Sequence, residues 1–302
     1  MRAAPQGDVM KKLILLAAWA ATCLPALAGV PVTDAEREQF LLKAEVVKQK
    51  GAPGGITGSY RATLRLGDFQ HDAHIQPHDE YKAQLQLGSG LELDFRDTWR
   101  NNVAAYRIDR MLGLGMIPAT VVRKDERSNK PASYTWWVDD VLMVERERYE
   151  KKMPAPNPTE WNRQIFVVRV FDQLIYNFDR NLGNLVIDKD WRIWMIDHTR
   201  AFKVFKELRE EKNLSATCEA DLLARLRTLE KPACVNISVQ LRASAGTELP
   251  SNAISNSTRG SAAIATWLST STRAIATANE MRLREGIFCS KGRWRMPSDP
   301  FR

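Results

Sequence analysis

Two short stretches of the chain gather residues able to do chemistry: Tyr176-Asn-Phe-Asp-Arg-Asn-Leu-Gly-Asn184 and Trp191-Arg-Ile-Trp-Met-Ile-Asp-His198. Together they supply a carboxylate at Asp179, an amide at Asn184 and a second carboxylate at Asp197. Phosphoryl transfer needs such a set. One carboxylate accepts or orients the proton of the attacking group, while an amide oxygen and another carboxylate hold the metal that bridges nucleotide phosphates. Read alone, Asp and Asn are turn formers, and D-R-N-x-x-N is no more than a capped turn. Their placement after a buried helix and around a hairpin separates them from that reading.

The elements that must position these residues are legible in the pattern. Trp161 to Asn177 is apolar nearly all round (Ile165, Phe166, Val168, Phe171, Leu174, Ile175), which predicts a buried central helix delivering the chain to Asp179. Leu185 to Ile187 and Arg192 to Ile196 predict a hairpin turned by Asp188-Lys189-Asp190. Upstream, residues 29–50 read as a lead-in helix capped at Asp34. Strands follow at Arg61 to Leu66, His71 to Gln76 and Tyr81 to Leu87. Asp97 is placed to cap a helix from Thr98 to Leu112, closed by Gly113, and Met116 to Val122 and Tyr134 to Val144 read as two further strands. After a charged, proline-containing connection from Glu145 to Pro158, helices are expected around Lys203–Lys212, Ala220–Leu229 and Ala262–Arg284. The expected fold class is α+β and bilobal: a strand-rich N-lobe over residues 29–145 and a helical C-lobe over 146–242. Residues 243–302, rich in Ser, Thr, Ala and Asn, form a low-complexity or atypical tail, either poorly packed or read in a shifted frame.

Composition sets outer limits. The 302 residues carry a net charge of +8, with 26% charged and 44% hydrophobic residues, which is globular rather than disordered usage. The excess of Lys and Arg favours anionic partners such as phosphate-bearing ligands, but it is scattered, and no aromatic-interleaved basic motif argues for nucleic acid. Met10-Lys11-Lys12, the apolar run Leu13 to Ala21 and Ala26-Leu27-Ala28 have the anatomy of a cleavable signal peptide over residues 1–28, with Met10 as its start. The mature chain is expected outside the cytoplasm, periplasmic or extracellular. In that setting Cys218 and Cys234, flanking an amphipathic stretch, either form a disulfide or remain free thiols with Cys289.

Asp179, Arg180 and Asn184 together with Met195-Ile-Asp-His198 resemble the D-R-x-x-x-N and I-D motifs of the phosphatidylinositol 3-/4-kinase superfamily. They are similar also to the HipA-type and secretory-pathway groups of atypical kinases. Asn102-Val-Ala-Ala-Tyr-Arg-Ile-Asp-Arg-Met-Leu-Gly-Leu-Gly-Met-Ile-Pro118 resembles the helix-plus-strand segment behind their nucleotide site, so the likeness spans residues 50–205. It implies a protein-kinase-like fold and a kinase-like transferase that uses Mg²⁺ or Mn²⁺ with ATP or another nucleotide. In it Asp179 is the catalytic aspartate, Asn184 and Asp197 are metal ligands, and Arg180 braces the loop or neutralises transferring phosphate.

Two departures stand out. The strand lysine that holds the α/β-phosphates falls on Gln76, and the helix glutamate that orients it falls on Asn102. Lys82 or Arg61 would then supply the missing cation. Met143, within Val141-Leu-Met-Val144, lies where a kinase hinge offers backbone groups to adenine. The Gly51–Ser59 loop is a candidate phosphate cover, and His71, His74 and His78 a weak metal candidate. These features leave open a phosphotransferase acting on a protein, lipid or small molecule, a non-catalytic pseudokinase that binds a ligand or partner, and a nucleotidyl transferase on the same scaffold.

Overall fold

Thr33 opens the first described helix with a capping box: its hydroxyl accepts from Glu36 N at 3.2 Å, while the Glu36 carboxylate accepts from Thr33 N at 2.7 Å. The computed structural model describes residues 30–51, 58–88, 90–177, 179–203 and 220–228. Helix α1 (Asp34–Lys43) buries Phe40 and Leu41, and it is shorter than the expected 29–50. Ala44 turns extended (φ −68°, ψ 142°), and the chain continues as β1 (Glu45–Gly51). The β-branched pair Val46-Val47 reads equally as a helix face or a strand, and pairing with the next strand decides for the strand.

A five-stranded antiparallel sheet forms the N-lobe in the order β1–β2–β3–β7–β6, where β2 is Tyr60–Leu66, β3 Phe69–Gln76, β6 Thr120–Lys124 and β7 Pro131–Trp136. Alternation sorts its faces. Tyr60, Ala62, Leu64, Ala73 and Ile75 are buried in the core, while Arg61, Thr63, Asp72 and His74, in register as Arg61↔His74 and Thr63↔Asp72, share the other face.

Between β3 and the next helix stands a separate two-stranded hairpin, β4 (Asp79–Leu87) and β5 (Gly90–Thr98). The sequence reading placed β4 but no strand at β5, whose alternation of Leu91, Leu93 and Phe95 with Glu92, Asp94 and Arg96 is weakened by its acidic residues. Helix α2 (Trp99–Leu112) is capped by Thr98, which accepts from Arg100 N at 3.2 Å, and not by Asp97 as expected. Gly113 closes it at φ 61°, in the left-handed region. The expected strand Tyr134–Val144 is interrupted by residues 137–140, which leave β7 for a second sheet through β8 (Val141–Val144).

From Glu145 to Met195 the elements follow the sequence pattern. After the short α3 (Glu145–Glu150), α4 (Pro158–Leu174) starts at Pro158 in its first turn, with Asn157 accepting from Glu160 N at 3.1 Å. It buries Trp161, Val167, Val168, Phe171 and Leu174. Strands β9 (Leu185–Asp188) and β10 (Ile193–Met195) form the anticipated hairpin, and β8 adds to it in the order β10–β9–β8. Helix α5 (Ala220–Thr228) buries Leu222 and Leu226, and its Arg225 donates to the carbonyls of Leu112 and Gly113 at 2.8 and 3.0 Å. The signal peptide, most of the Gly51–Ser59 loop, the Cys218–Cys234 pair, the helices expected beyond Lys203 and at Ala262–Arg284, and the 243–302 tail lie outside the described residues.

Gly113 is a point of leverage, because a Cβ there would be strained by the left-handed backbone and would meet Arg225 Nη1 at 3.1 Å. Gly113→Ala is expected to destabilise the chain by roughly 1–2 kcal/mol. A urea titration showing an unchanged midpoint would contradict this account of the α2 terminus.

Candidate functional site

The site is organised around Arg180. Its side chain is 3% exposed and meets Asp172, 9% exposed, near the end of α4 in a bidentate pair: Nε donates to Oδ2 at 2.9 Å and Nη2 to Oδ1 at 3.0 Å. Nη1 donates to the carbonyls of Asn184 at 3.1 Å and Ile196 at 2.7 Å, and Nη2 also reaches His198 Nε2 at 2.9 Å. These contacts use all five N–H groups of the guanidinium. Of the two roles open to Arg180, the structure supports bracing the loop, since no donor remains for a phosphate.

His198 is fixed by the same contact. A guanidinium only donates, so Nε2 is the acceptor and the ring is neutral with its proton on Nδ1. Burial, and then the Arg180 charge, hold its pKa well below the ordinary 6.5. Its ring meets Phe171 edge-on at 6.2 Å. His198 is therefore a structural member of the site.

The loop before Arg180 is tied to the same aspartate. Asn177 donates from its amide to Asp172 Oδ1 at 2.9 Å and accepts from Asp179 N at 3.2 Å. Asp179 thus leaves the helix end on a fixed backbone. Its own side chain is 47% exposed, and Arg200 Nη1 donates to Oδ1 at 3.3 Å. Burial raises the Asp179 pKa, Arg200 and Lys203 lower it, and the charges of Asp197 and Asp97 raise it. Asp179 and Asp197 therefore stand within electrostatic reach of one another.

Asn184 and Asp197 are brought together by the β9–β10 register, which pairs Met195 with Leu185. One further step sets Ile196 opposite Asn184, where Ile196 N donates to Asn184 O at 3.1 Å, and Asp197 follows. Asp197 is exposed and holds a left-handed backbone (φ 56°), and its Oδ1 accepts from Thr199 Oγ1 at 3.2 Å. The Asn184 amide has no hydrogen-bond partner among the described residues. A carboxylate at Asp197 and an unengaged amide at Asn184 are hard oxygen donors of the kind that suit Mg²⁺ or Mn²⁺, which retain several positions for water and phosphate. No cluster of three His, Cys, Asp or Glu able to hold a metal occurs among the described residues.

Helix α2 supports this segment from behind. Asn102 Oδ1 accepts from His198 N at 2.8 Å, and Asn101 Nδ2 donates to the carbonyls of Thr199 and Ala201 at 2.8 and 2.9 Å. Asn102 is thus a backbone anchor for the residue after Asp197. Gln76 is buried, and its Oε1 accepts from His78 N at 3.1 Å. Lys82 pairs with Glu80 at 2.7 Å on the outlying hairpin. Arg61 is ion-paired with Asp72, with its guanidinium 4.2 Å over Trp137. Met143 is buried in β8 opposite Ile187, so the connection between the lobes falls earlier, at residues 137–140.

The histidines part company. His71 stacks on Trp136 at 3.6 Å and meets Asp139 at 2.7 Å, whereas His78 lies 3.5 Å from Glu80. His74, opposite Arg61 of β2, is held below its ordinary pKa by burial, a shift that the charge of Asp197 opposes.

Sequence reading missed Asp172, Asn177, Glu92, Arg200 and Lys203. A carboxylate inside an otherwise apolar helix was a signal for Asp172, because a buried aspartate needs a cation. Arg200, three residues after Asp197, was also within reach of inspection, while Glu92 was hidden with its unrecognised strand.

No protein-family model matches the chain, and no curated protein matches by sequence. Solved structures do match. Hydra Fam20, determined with sugar, superposes with a TM-score of 0.57 at 14% identity, over 84% of this chain and 90% of that one. The Golgi casein kinase superposes at 0.51 and 12% identity, over 82% and 75%. Its form with Mn/ADP bound also gives 0.51, at 13% identity, over 82% and 77%. The chain has the α+β kinase-like fold of these proteins.

Two measurements probe the frame. Arg180→Leu would leave Asp172 buried without its cation, a loss of roughly 3–5 kcal/mol, so its thermal midpoint is expected far below that of Arg163→Leu, whose Glu160 partner is exposed. A comparable midpoint for the two would contradict the hub. The His198 shift also fixes a sign. The unfolded ring takes up a proton below its ordinary 6.5 while the folded one resists, so stability is retained above that pH and lost as pH falls toward the folded pKa. His198→Gln should show a shallower acid-side loss of thermal midpoint than the parent, and equal slopes would refute the assignment.

Proposed function

We propose that this chain is an exported phosphotransferase of the atypical kinase type, moving a phosphoryl group from a metal-bound nucleotide to a hydroxyl acceptor. The observation that carries the reading is the convergence of Asp179, Asn184 and Asp197 on one Arg180-centred frame within a kinase-like fold. The Golgi casein kinase with Mn/ADP supports the pairing of divalent metal and nucleotide for this site. The D-R-x-x-x-N and I-D resemblance extends the proposal to kinship with the phosphatidylinositol 3-/4-kinase superfamily. The leader-like residues 10–28 support export. Because ATP is scarce outside a bacterial cytoplasm, another nucleotide or a host compartment enters the proposal with it.

Asn184 and Asp197 would hold Mg²⁺ or Mn²⁺, which when bound supplies charge neutralisation at the nucleotide phosphates. Asp179 takes the acceptor hydroxyl proton on its carboxylate, which the Asn177-tied backbone holds at the mouth of the site. Arg180 keeps the two loops in register without touching substrate. Asn102 holds His198 N and so fixes the backbone that presents Asp197.

A second reading, a non-catalytic ligand- or partner-binding module, is favoured by one specific observation. Neither Gln76 nor Asn102 carries charge where kinases place the lysine–glutamate pair, and the Asn102 oxygen is committed to His198 N.

Thermal stabilisation by ATP with Mg²⁺ or Mn²⁺ separates the two. Ligand at a hundredfold excess over Kd should stabilise the parent by about 2.7 kcal/mol, and Asp197→Ala should abolish the shift. Asp179→Asn should keep the shift while transfer falls by roughly 10²–10⁴-fold. Absence of a shift with every nucleotide tried would move the assignment to the binding module.

A further inference from the structure

The β4–β5 hairpin stands outside both larger sheets, yet it reaches the catalytic loop. Glu92 on β5, 14% exposed, accepts from Arg200 Nη2 at 3.1 Å with Oε2 and from Lys203 Nζ at 2.7 Å with Oε1. Arg200 turns its other terminal nitrogen, Nη1, to Asp179 Oδ1 at 3.3 Å, and its guanidinium lies 5.1 Å from the ring of buried Phe95, also on β5. A single planar cation thus spans the hairpin and the proposed base. The hairpin has a fixed footing for this task. Thr98 Oγ1 donates to Asp79 Oδ1 at 2.7 Å, Trp99 N to His78 O at 2.9 Å, and Thr98 N to Thr199 O at 3.0 Å, one residue before Arg200.

The charges explain why Glu92 is needed. Arg200 and Lys203 face a site that already holds the carboxylates of Asp179 and Asp197, and both cations act on Asp179. Without Glu92 they would collapse onto those carboxylates, occupying the oxygens that must receive a proton or a metal. With Glu92 in place, Arg200 makes two directed bonds in the plane of its fork. The bond to Asp179 is the longer, and it engages Oδ1 while Oδ2 takes no hydrogen bond from the described residues.

We propose that Glu92 is a positioning residue for Asp179, acting through Arg200, so that the β4–β5 hairpin is a working part of the transfer site. The proposal rests on the phosphotransferase reading for its effect on rate, and on geometry alone for its effect on the 197–203 segment.

The test uses the full chain with Glu92→Gln, Arg200→Gln, the double variant and Arg200→Lys. Glu92→Gln should lower kcat about tenfold with the nucleotide KM within about twofold, the loss of one charge-assisted bond in the transition state. The double variant should be no slower than Arg200→Gln, because Glu92 acts through that residue, and Arg200→Lys should recover part of the rate. Independently of activity, hydrogen exchange should quicken in residues 197–203 of Glu92→Gln while β2 and β3 keep their protection, which separates release of the clamp from unfolding. Multiplicative losses in the double variant, or unchanged exchange at 197–203, would overturn the proposal. If the parent transfers no phosphate, the phosphotransferase reading fails on that result, and the exchange measurement still decides whether Glu92 holds the segment.

Discussion

A guanidinium sealed from water must satisfy five donors and one charge, and Arg180 does so by drawing four groups from three stretches of chain to a point. Asp172 comes from α4, the Asn184 carbonyl from the start of β9, the Ile196 carbonyl from the end of β10, and the His198 ring from the segment beyond. The desolvation cost of such a pair is recovered only when every polar atom is met. Any arrangement that misplaced one of the four would leave a buried donor or charge without a partner, at a penalty of kilocalories. The frame therefore specifies geometry more than it adds stability. It is this specification that holds the backbone segments carrying Asp179, Asn184 and Asp197 to one frame.

His198 shows how strictly the frame constrains its members. Its position beside a candidate metal carboxylate invites a catalytic role, but the contact with Arg180 makes Nε2 an acceptor and the surrounding burial forbids a charge. The same logic distinguishes Asn102 from a degraded glutamate. A glutamate reaching across to a strand lysine would leave His198 N without its acceptor at 2.8 Å, whereas the shorter amide satisfies it and locks α2 to the segment that carries Asp197. The uncharged residue at position 102 is thus coupled to the way the Asp197 loop is held in this chain.

What was legible in the sequence was whatever short-range chemistry dictates. Asp179, Asn184 and Asp197 could be found because a helix, a turn and a hairpin of fixed register connect them, and each has its own local signature in apolar spacing or turn residues. Gly113 was legible for the same reason. Val46-Val47 was not, since their preference for helix or strand is small beside the pairing with β2, which lies across a loop. The role of Arg180 was open between two functions because its partners lie up to 18 residues away, at His198. The pairing of Met143 with Ile187 was not legible, since no local pattern announces that contact. Glu92 was the hardest to see: its partners lie 108 and 111 residues downstream, and its strand interleaves acidic residues with leucines and has no valine or isoleucine.

The two devices at the site differ in kind, and the difference bears on how such a site works. Arg180 is buried, fully bonded and joined to backbone carbonyls, so its geometry changes only with local unfolding. Arg200 is about a quarter exposed and joined only to side chains, at 3.1 and 3.3 Å, so it can be displaced by a competing anion at modest cost. A rigid support beneath the carboxylates combined with an exchangeable cation above them suits a group that must hold a proton acceptor in place, admit a charged substrate and then release it. The hairpin that carries Glu92 determines where that exchangeable cation rests between these events. The outlying hairpin is therefore part of the site's electrostatics, because removing the Glu92 carboxylate would change the balance of charge at Asp179 without altering any residue of the loop that carries it.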